Sequence, residues 1–233
     1  MTDAARTKLL DAILPHVPFD GWSAQAFNAA VSDAGIGVEE ARILCPRGAI
    51  DLAVIYHRRG DAAMVDALAA AELSEMRFRD KVATALRLRI AAMDDREAVR
   101  RASALFALPQ HSAEGAKLIW ETADKIWEAL GDTSSDVNWY TKRATLSGVW
   151  ASTVLYWLGD ESAGCRDTEE FIDRRIDNVM QFEKVKASLR ENPLTKPLMS
   201  LQSALFAGVK APNMSPPHDV PGRWNPTEAR QDQ

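Results

Sequence analysis

Residues 23–44 read SAQAFNAAVSDAGIGVEEARIL, and the fold is decided there. Ser23 suits an N-cap, because its hydroxyl can accept from a free amide of the first turn. It predicts a helix with Phe27, Ala30, Val31 and Ala34 on one face, closed by Gly35. Gly35-Ile36-Gly37 then turns the chain into a short helix from Val38 to Leu44. That helix stops at Cys45-Pro46, since the residue before a proline resists the α region. A helix from about Asp3 to Val17 precedes both, with Leu10, Ile13, Leu14 and Val17 on one face and Pro18 as its stop. Three short helices, the last two joined by a tight turn, have the layout of a helix-turn-helix.

Outward from this head, apolar residues recur at three and four and no strand-like alternation persists. A fourth helix carries Leu52, Ile55 and Tyr56 and is expected to end near Gly60. Asp61 would cap a long helical stretch to about Met93, and Asp94-Asp95 begins another that Pro109 breaks. Ser112 starts a helix with Ile119, Trp120, Ala123, Ile126, Trp127 and Leu130 as its stripe, ended by Gly131. A polar loop, Asp132 to Ser135, leads to a helix from Asp136 to Leu158. The next runs from Thr168 to Leu189 behind an Asp167-x-x-Glu170 capping box. A last apolar helix spans Leu194 to Val209, and the proline-rich tail after Ala211 suits neither helix nor sheet. The expected division is a helix-turn-helix region at 1–60, a helical bundle at 61–190, an amphipathic helix at 191–210 and a disordered tail at 211–233. This order resembles the TetR repressors: an all-α bundle behind an N-terminal helix-turn-helix.

The head lacks the chemistry of DNA recognition. Its second helix opens Val38-Glu39-Glu40-Ala41-Arg42, so two glutamates occupy the turn that should face phosphates. Glutamates there stabilise a helix and repel a nucleic acid. The net charge of −5 at pH 7 also argues against a general nucleic-acid binder. The helix-turn-helix is therefore read as degenerate, and no nucleic-acid partner is expected. Enzyme motifs are missing as well. His16, His57, His111 and His218 have no glutamate three residues earlier, as a di-iron bundle requires, and each is read as a surface or end-of-helix residue. Zinc-binding spacings, a P-loop and a Gly-x-Ser-x-Gly elbow are absent. No catalytic residue, metal or cofactor is expected. Cys45 and Cys165 are read as two reduced thiols. Met1 to Lys8 lacks the features of a leader, and no apolar run reaches the roughly 18 residues of a membrane span. The expectation is a protein that starts out soluble in the cytosol.

Two helices invite partners. The segment Ala144 to Gly159 has no charge, so its helix is buried on more than one side. Trp150, Tyr156 and Trp157 belong to the core or to a homodimer interface, and Ser147, Gly148, Ala151 and Ser152 would let another helix approach. Trp139, Tyr140 and Arg143, at the start of the same helix, have two readings. They are residue types enriched at binding hot spots, or they are a core tryptophan and a surface arginine that pairs with Asp136. The last helix also has two readings. Leu194, Leu198, Leu201, Leu205 and Val209 form one stripe with Phe206 beside it, opposite Ser200, Gln202 and Ser203. Such a helix lies in a membrane interface or docks on a protein bundle.

These segments, Gly21-Trp22-Ser23, Cys45-Pro46-Arg47-Gly48, Arg77-Phe78-Arg79-Asp80-Lys81 and above all Asp136-Val137-Asn138-Trp139-Tyr140-Thr141-Lys142-Arg143-Ala144, resemble the ninth coenzyme Q biosynthesis protein family over about Leu9 to Gly208. The resemblance implies a lipid-binding accessory protein of ubiquinone biosynthesis, not an enzyme. It implies a dimer with a cavity for an isoprenoid lipid or ubiquinone intermediate, which it presents at the membrane to a di-iron demethoxyubiquinone hydroxylase. It assigns the hydroxylase contact to Asp136, Trp139, Tyr140 and Arg143, and the membrane contact to Leu194, Leu198, Leu201, Leu205 and Phe206. The alternative is a TetR-type regulator that binds a small apolar ligand.

Overall fold

The computed structural model describes residues 2–191, and their side chains as far as 181. The helix expected at Leu194 to Val209 and the tail lie outside the described residues. Among the latter there are ten α-helices, one 3-10 turn and no strand. The head consists of α1 (Thr2–Ile13), α2 (Val17–Asp20), α3 (Ala24–Asp33) and α4 (Val38–Leu44). The bundle follows as α5 (Ala49–Ala70), α6 (Phe78–Ala91), α7 (Arg96–Ala107), α8 (Ser112–Ala129), α9 (Val137–Leu158) and α10 (Arg166–Glu191).

The helix-turn-helix forms for the expected reasons. The Ser23 hydroxyl accepts from the Ala26 amide at 3.2 Å. Gly35 takes a positive φ of 60°, and the next amide, that of Ile36, donates back to the Val31 carbonyl. Leu9, Leu10, Ile13, Val17, Ala26, Ala30, Val31, Ala41 and Leu44 bury the inner faces. On the outer face of α4, Glu39 and Glu40 are exposed and the Arg42 guanidinium turns back to Glu39 at 3.3 Å. Val38 and Ile43 stand in solvent beside them. Trp22 fixes the head to the bundle: its ring nitrogen donates to the Ala98 carbonyl on α7 at 3.1 Å, and its ring lies 5.7 Å from that of Tyr56 on α5.

Three expected boundaries are corrected. The first helix ends at Ile13, and Pro18 lies in the first turn of a separate short helix. A proline there loses no helical hydrogen bond, because amides of the first turn have no partner anyway. Helix α5 runs unbroken through Gly60 and Asp61 to Ala70, so the division at residue 60 falls inside a helix. The long stretch breaks instead between Ala71 and Arg77. Asp61 is no cap; it is fully buried. The third correction concerns α10, which begins at Arg166. Its third residue, Thr168, gives its amide and hydroxyl to the Asp160 carboxylate, at 2.9 and 2.5 Å. Asp160 also takes the Ser162 amide and hydroxyl, and these bonds hold its acid well below the usual carboxylate range.

Two apolar cores share the chain. One joins the head to α5, α7 and the end of α9 through Leu9, Ile13, Trp22, Leu52, Ala98 and Trp157. The other joins α5, α6, α8, α9 and α10 through Met64, Leu86, Ile126, Leu146, Trp150 and Ile172. Ile90, Met93 and Val154 pack against both. Each large aliphatic side chain so buried contributes roughly 1.5–3 kcal/mol of transfer energy. On the outer side, Arg87 pairs with Asp173 at 2.8 Å and Arg79 pairs with Asp177, which laces α6 to α10.

Candidate functional site

Two adjoining features share helix α8. The first is the start of α9. Asp136 is its N-cap, accepting from the Asn138 amide at 2.9 Å. Trp139 and Tyr140 follow, half-buried, with ring centroids 4.8 Å apart in an edge-on contact. Trp120 on α8 completes the cluster, 5.9 Å from Trp139 and 6.5 Å from Tyr140. Arg143 is 2 % exposed and lies beneath the surface. Its guanidinium sits 3.9 Å from the Trp139 ring centre. It pairs with Asp124 at 2.5 Å and with Asp132 at 3.0 Å, where Lys142 also binds at 2.7 Å. The surface pair of Arg143 with Asp136, one of the two readings, is replaced by these partners, the half-buried Asp124 and the Asp132 carboxylate with its buried side chain. Two cations and the Ser134 hydroxyl hold the Asp132 carboxyl down at about 2, against the burial that raises it. Of the four residues singled out in the sequence, the structure therefore gathers Trp139 and Tyr140 into a half-exposed aromatic cluster, with Asp136 capping the helix beside it and Arg143 bracing it from below.

The second feature is a cavity of about 370 Å³ walled by α5, α6, α7, α8 and α9. Its lining is dominated by apolar side chains, among them Ala102, Phe106, Ile119, Trp150 and Val154. Ala107, Ser112, Ala116 and Leu155 form an exposed rim. Gly60, Arg89, Leu118 and Trp150 form a buried floor. The polar side chains on the wall are Tyr56, His57, Arg89, Ser103 and Ser112. Tyr56 donates to Asp94 at 3.0 Å, and Ser112 to the Pro109 carbonyl at 3.0 Å.

Sequence reading missed the floor. Arg89 is 2 % exposed and pairs with fully buried Asp61 at 2.7 Å. It also donates to the His57 carbonyl at 2.9 Å and stands 5.1 Å from the Trp150 ring centre. Gly60 makes room for it: a Cβ there would lie 2.5 Å from Arg89 Nη1. The His57 ring nitrogen Nε2 lies 2.9 Å from the Thr122 hydroxyl and 3.2 Å from the Leu118 carbonyl. Thr122 donates in turn to Asp61 at 2.9 Å. Burial pushes the His57 ring down to about 4, only partly countered by Asp61, so the ring is neutral at pH 7. The signal that could have found this group was the His57/Asp61 pair, one turn apart in the middle of α5 with Gly60 between them.

Among the described residues no group of three or more His, Cys, Asp or Glu could hold a metal ion, and no helix is long and apolar enough to cross a membrane. Both cysteines are free thiols, Cys45 buried and Cys165 half-buried.

Comparison with known proteins gives the lineage. The COQ9 family model matches residues 112–183, which takes in α8, α9 and most of α10. The chain is 31 % identical over 189 residues to the mitochondrial ubiquinone biosynthesis protein COQ9 of Drosophila melanogaster, covering 78 % of this chain and 57 % of that one. It is 29 % identical over 195 residues to the probable mitochondrial ubiquinone biosynthesis protein coq9 of Dictyostelium discoideum, covering 80 % and 63 %. With human COQ9 the figures are 27 % over 186 residues, 75 % and 57 %. The match thus spans about three-fifths of these relatives' own length. Among solved structures, a TetR transcriptional regulator from Nitrosomonas europaea superposes with a TM-score of 0.61 at 17 % identity, over 74 % of this chain and 95 % of that one. That likeness shows the fold, all-α and TetR-like, as its helix order implied. The family model and the relatives agree with the motif around Trp139: residues 112–183 match the COQ9 family, and the chain is similar to COQ9 proteins over three-quarters or more of its own length.

Proposed function

We propose that this protein acts in ubiquinone biosynthesis as a lipid-binding accessory protein without catalytic activity of its own. It binds an isoprenoid quinone intermediate and presents it at the membrane to a di-iron demethoxyubiquinone hydroxylase. The observation that carries this reading is the apolar cavity, in a chain whose relatives are named ubiquinone biosynthesis proteins. Its volume lies within the roughly 300–1,000 Å³ of small-molecule pockets. It therefore shelters a ring and the first isoprene units, and the rest of a polyprenyl chain stays outside.

The partner face is the aromatic cluster. Trp139 and Tyr140 supply contact area with polar anchoring, as hot-spot residues do. Asp136 and Arg143 hold them in place from the cap and from beneath. Leu194, Leu198, Leu201, Leu205 and Phe206 supply the membrane contact; burying such side chains gains roughly 1.5–3 kcal/mol each, sufficient for reversible docking. A homodimer forms through α9 and α10, where Gly148, Leu155 and Tyr156 leave an exposed, small-and-apolar face and Tyr156 stacks on Phe171 at 4.3 Å. The test is to purify the protein without detergent, extract it with organic solvent and identify bound lipid by mass spectrometry. A ubiquinone precursor or another isoprenoid is expected. A folded protein that carries no lipid and takes up none from vesicles containing ubiquinone would overturn the reading.

A further inference from the structure

The closed end of the cavity is polar in a specific way, and what it can bind follows from which hydrogen bonds are already made. Deepening the lipid-carrier reading, on which this inference rests, we propose that the floor receives a phenolic hydroxyl, so that the protein takes the hydroxylated ring of a prenylated phenol or quinol in preference to a quinone, an ether or an anion.

The hydrogen-bond inventory assigns the roles. His57 Nε2 faces three oxygens: the Leu118 carbonyl at 3.2 Å, the Thr122 hydroxyl at 2.9 Å and the Asp61 carboxylate at 3.7 Å. A carbonyl and a carboxylate only accept, and the Thr122 hydroxyl has acceptors of its own for its hydrogen, Asp61 at 2.9 Å and the Leu118 carbonyl at 3.2 Å. The proton of the neutral ring therefore resides on Nε2. The other nitrogen, Nδ1, carries a lone pair, and His57 lines the cavity. Beside it, Arg89 uses Nε on Asp61 and Nη2 on the His57 carbonyl. Its Nη1 rests against Gly60, itself on the cavity wall. His57 and Arg89 both line the cavity, so its polar end has one acceptor to give, His57 Nδ1, and one donor, the Arg89 guanidinium.

A hydroxyl satisfies both at once, donating to the imidazole and accepting from the guanidinium. A quinone carbonyl or an ether oxygen accepts from Arg89 but brings no hydrogen for His57. A carboxylate or phosphate monoester sets its lone pairs against the Nδ1 lone pair. The apolar walls between this floor and the rim at Ala107, Ala116 and Leu155 suit a hydrocarbon tail. The ligand consequently enters ring first. The ring then stops against α8, whose Leu118 and Thr122 serve the floor while Trp120 and Asp124 serve the aromatic cluster. A helix is about 10 Å across, so a hydroxylase seated on Trp139 stands one helix from the bound ring.

The experiment is isothermal titration of the full chain with 4-geranylphenol and with its methyl ether, which share a tail and differ by one hydrogen-bond donor. The phenol should bind about tenfold tighter, the ratio expected for one buried hydrogen bond made or left unmade. His57→Phe should bring the two affinities together, chiefly by weakening the phenol. Equal affinities in the natural protein, or a preference that survives in His57→Phe, would overturn the proposal. So would geranoate binding more tightly than the phenol. If His57→Phe does not fold, the phenol-to-ether ratio in the natural protein still decides. Binding of neither probe would instead sink the lipid cavity itself, a failure distinct from equal binding of both.

Discussion

Protonating His57 should destabilise the fold, and the size and direction of the effect can be worked out. An imidazole in the unfolded chain takes its proton near pH 6.5, whereas His57 in the fold takes it at about 4, chiefly because burial opposes the charge. Between these values the unfolded state binds the extra proton, so stability falls as pH falls. The contribution is complete above pH 6.5 and is lost progressively down to about pH 4. Each unit of pKa is worth about 1.4 kcal/mol, which gives a loss of about 2 kcal/mol between pH 7.5 and pH 5. Against a typical stability of 5–15 kcal/mol this is readily measured. The assay is urea unfolding at the two pH values for the natural protein and for His57→Gln, which does not titrate. Carboxylates common to both proteins cancel in the difference, and Asp132, held near 2, titrates below the window. The natural protein should lose about 2 kcal/mol more than the variant. Equal losses would show that His57 titrates normally, and the buried neutral ring would have to be abandoned.

Other perturbations probe the same framework. Gly60→Ala, which in an exposed helix would gain about 1 kcal/mol, should here cost about 1–3 kcal/mol, because its Cβ meets Arg89 within 2.5 Å; a raised thermal midpoint would contradict this packing. Arg143→Met leaves Asp124 without its partner and takes one of two from Asp132, and the loss of a buried pair costs about 3–5 kcal/mol; unchanged urea unfolding would show that the pair bears no load. Trp139→Glu should abolish capture of a demethoxyubiquinone hydroxylase while circular dichroism stays the same; loss of helicity would mark Trp139 as a core residue.

Much of this architecture could be read from periodicity and caps. Ser23, Gly35, Cys45-Pro46 and Asp136 each did what their local chemistry dictates, and the α8 stripe faces a core as spaced except at Trp120, while α9 keeps Leu155 and Tyr156 exposed. Readings failed where a distant residue changed the meaning of a local signal. Gly60 followed by Asp61 looks like a helix end and a new cap, until Arg89 arrives from α6 to fill the space over the glycine and neutralise the aspartate. Asp132 looks like part of a polar loop, but it is the buried partner of Arg143. The same cause hid the cavity floor: His57, Asp61, Arg89 and Thr122 come from three helices, and no spacing along the chain announces such a group. The aromatic cluster was legible because its members are neighbours in sequence, though Trp120 joins only in three dimensions.

Helix α8 has one side on the cavity and the other on the aromatic cluster. A ligand that shifts or stiffens this helix changes the surface a partner meets, and a partner that fixes the helix changes the affinity for the ligand by the same factor, because binding linkage is reciprocal. Loaded and empty protein would then be told apart without the partner ever touching the cargo. A shared wall of this kind is a physical basis for docking cued by occupancy.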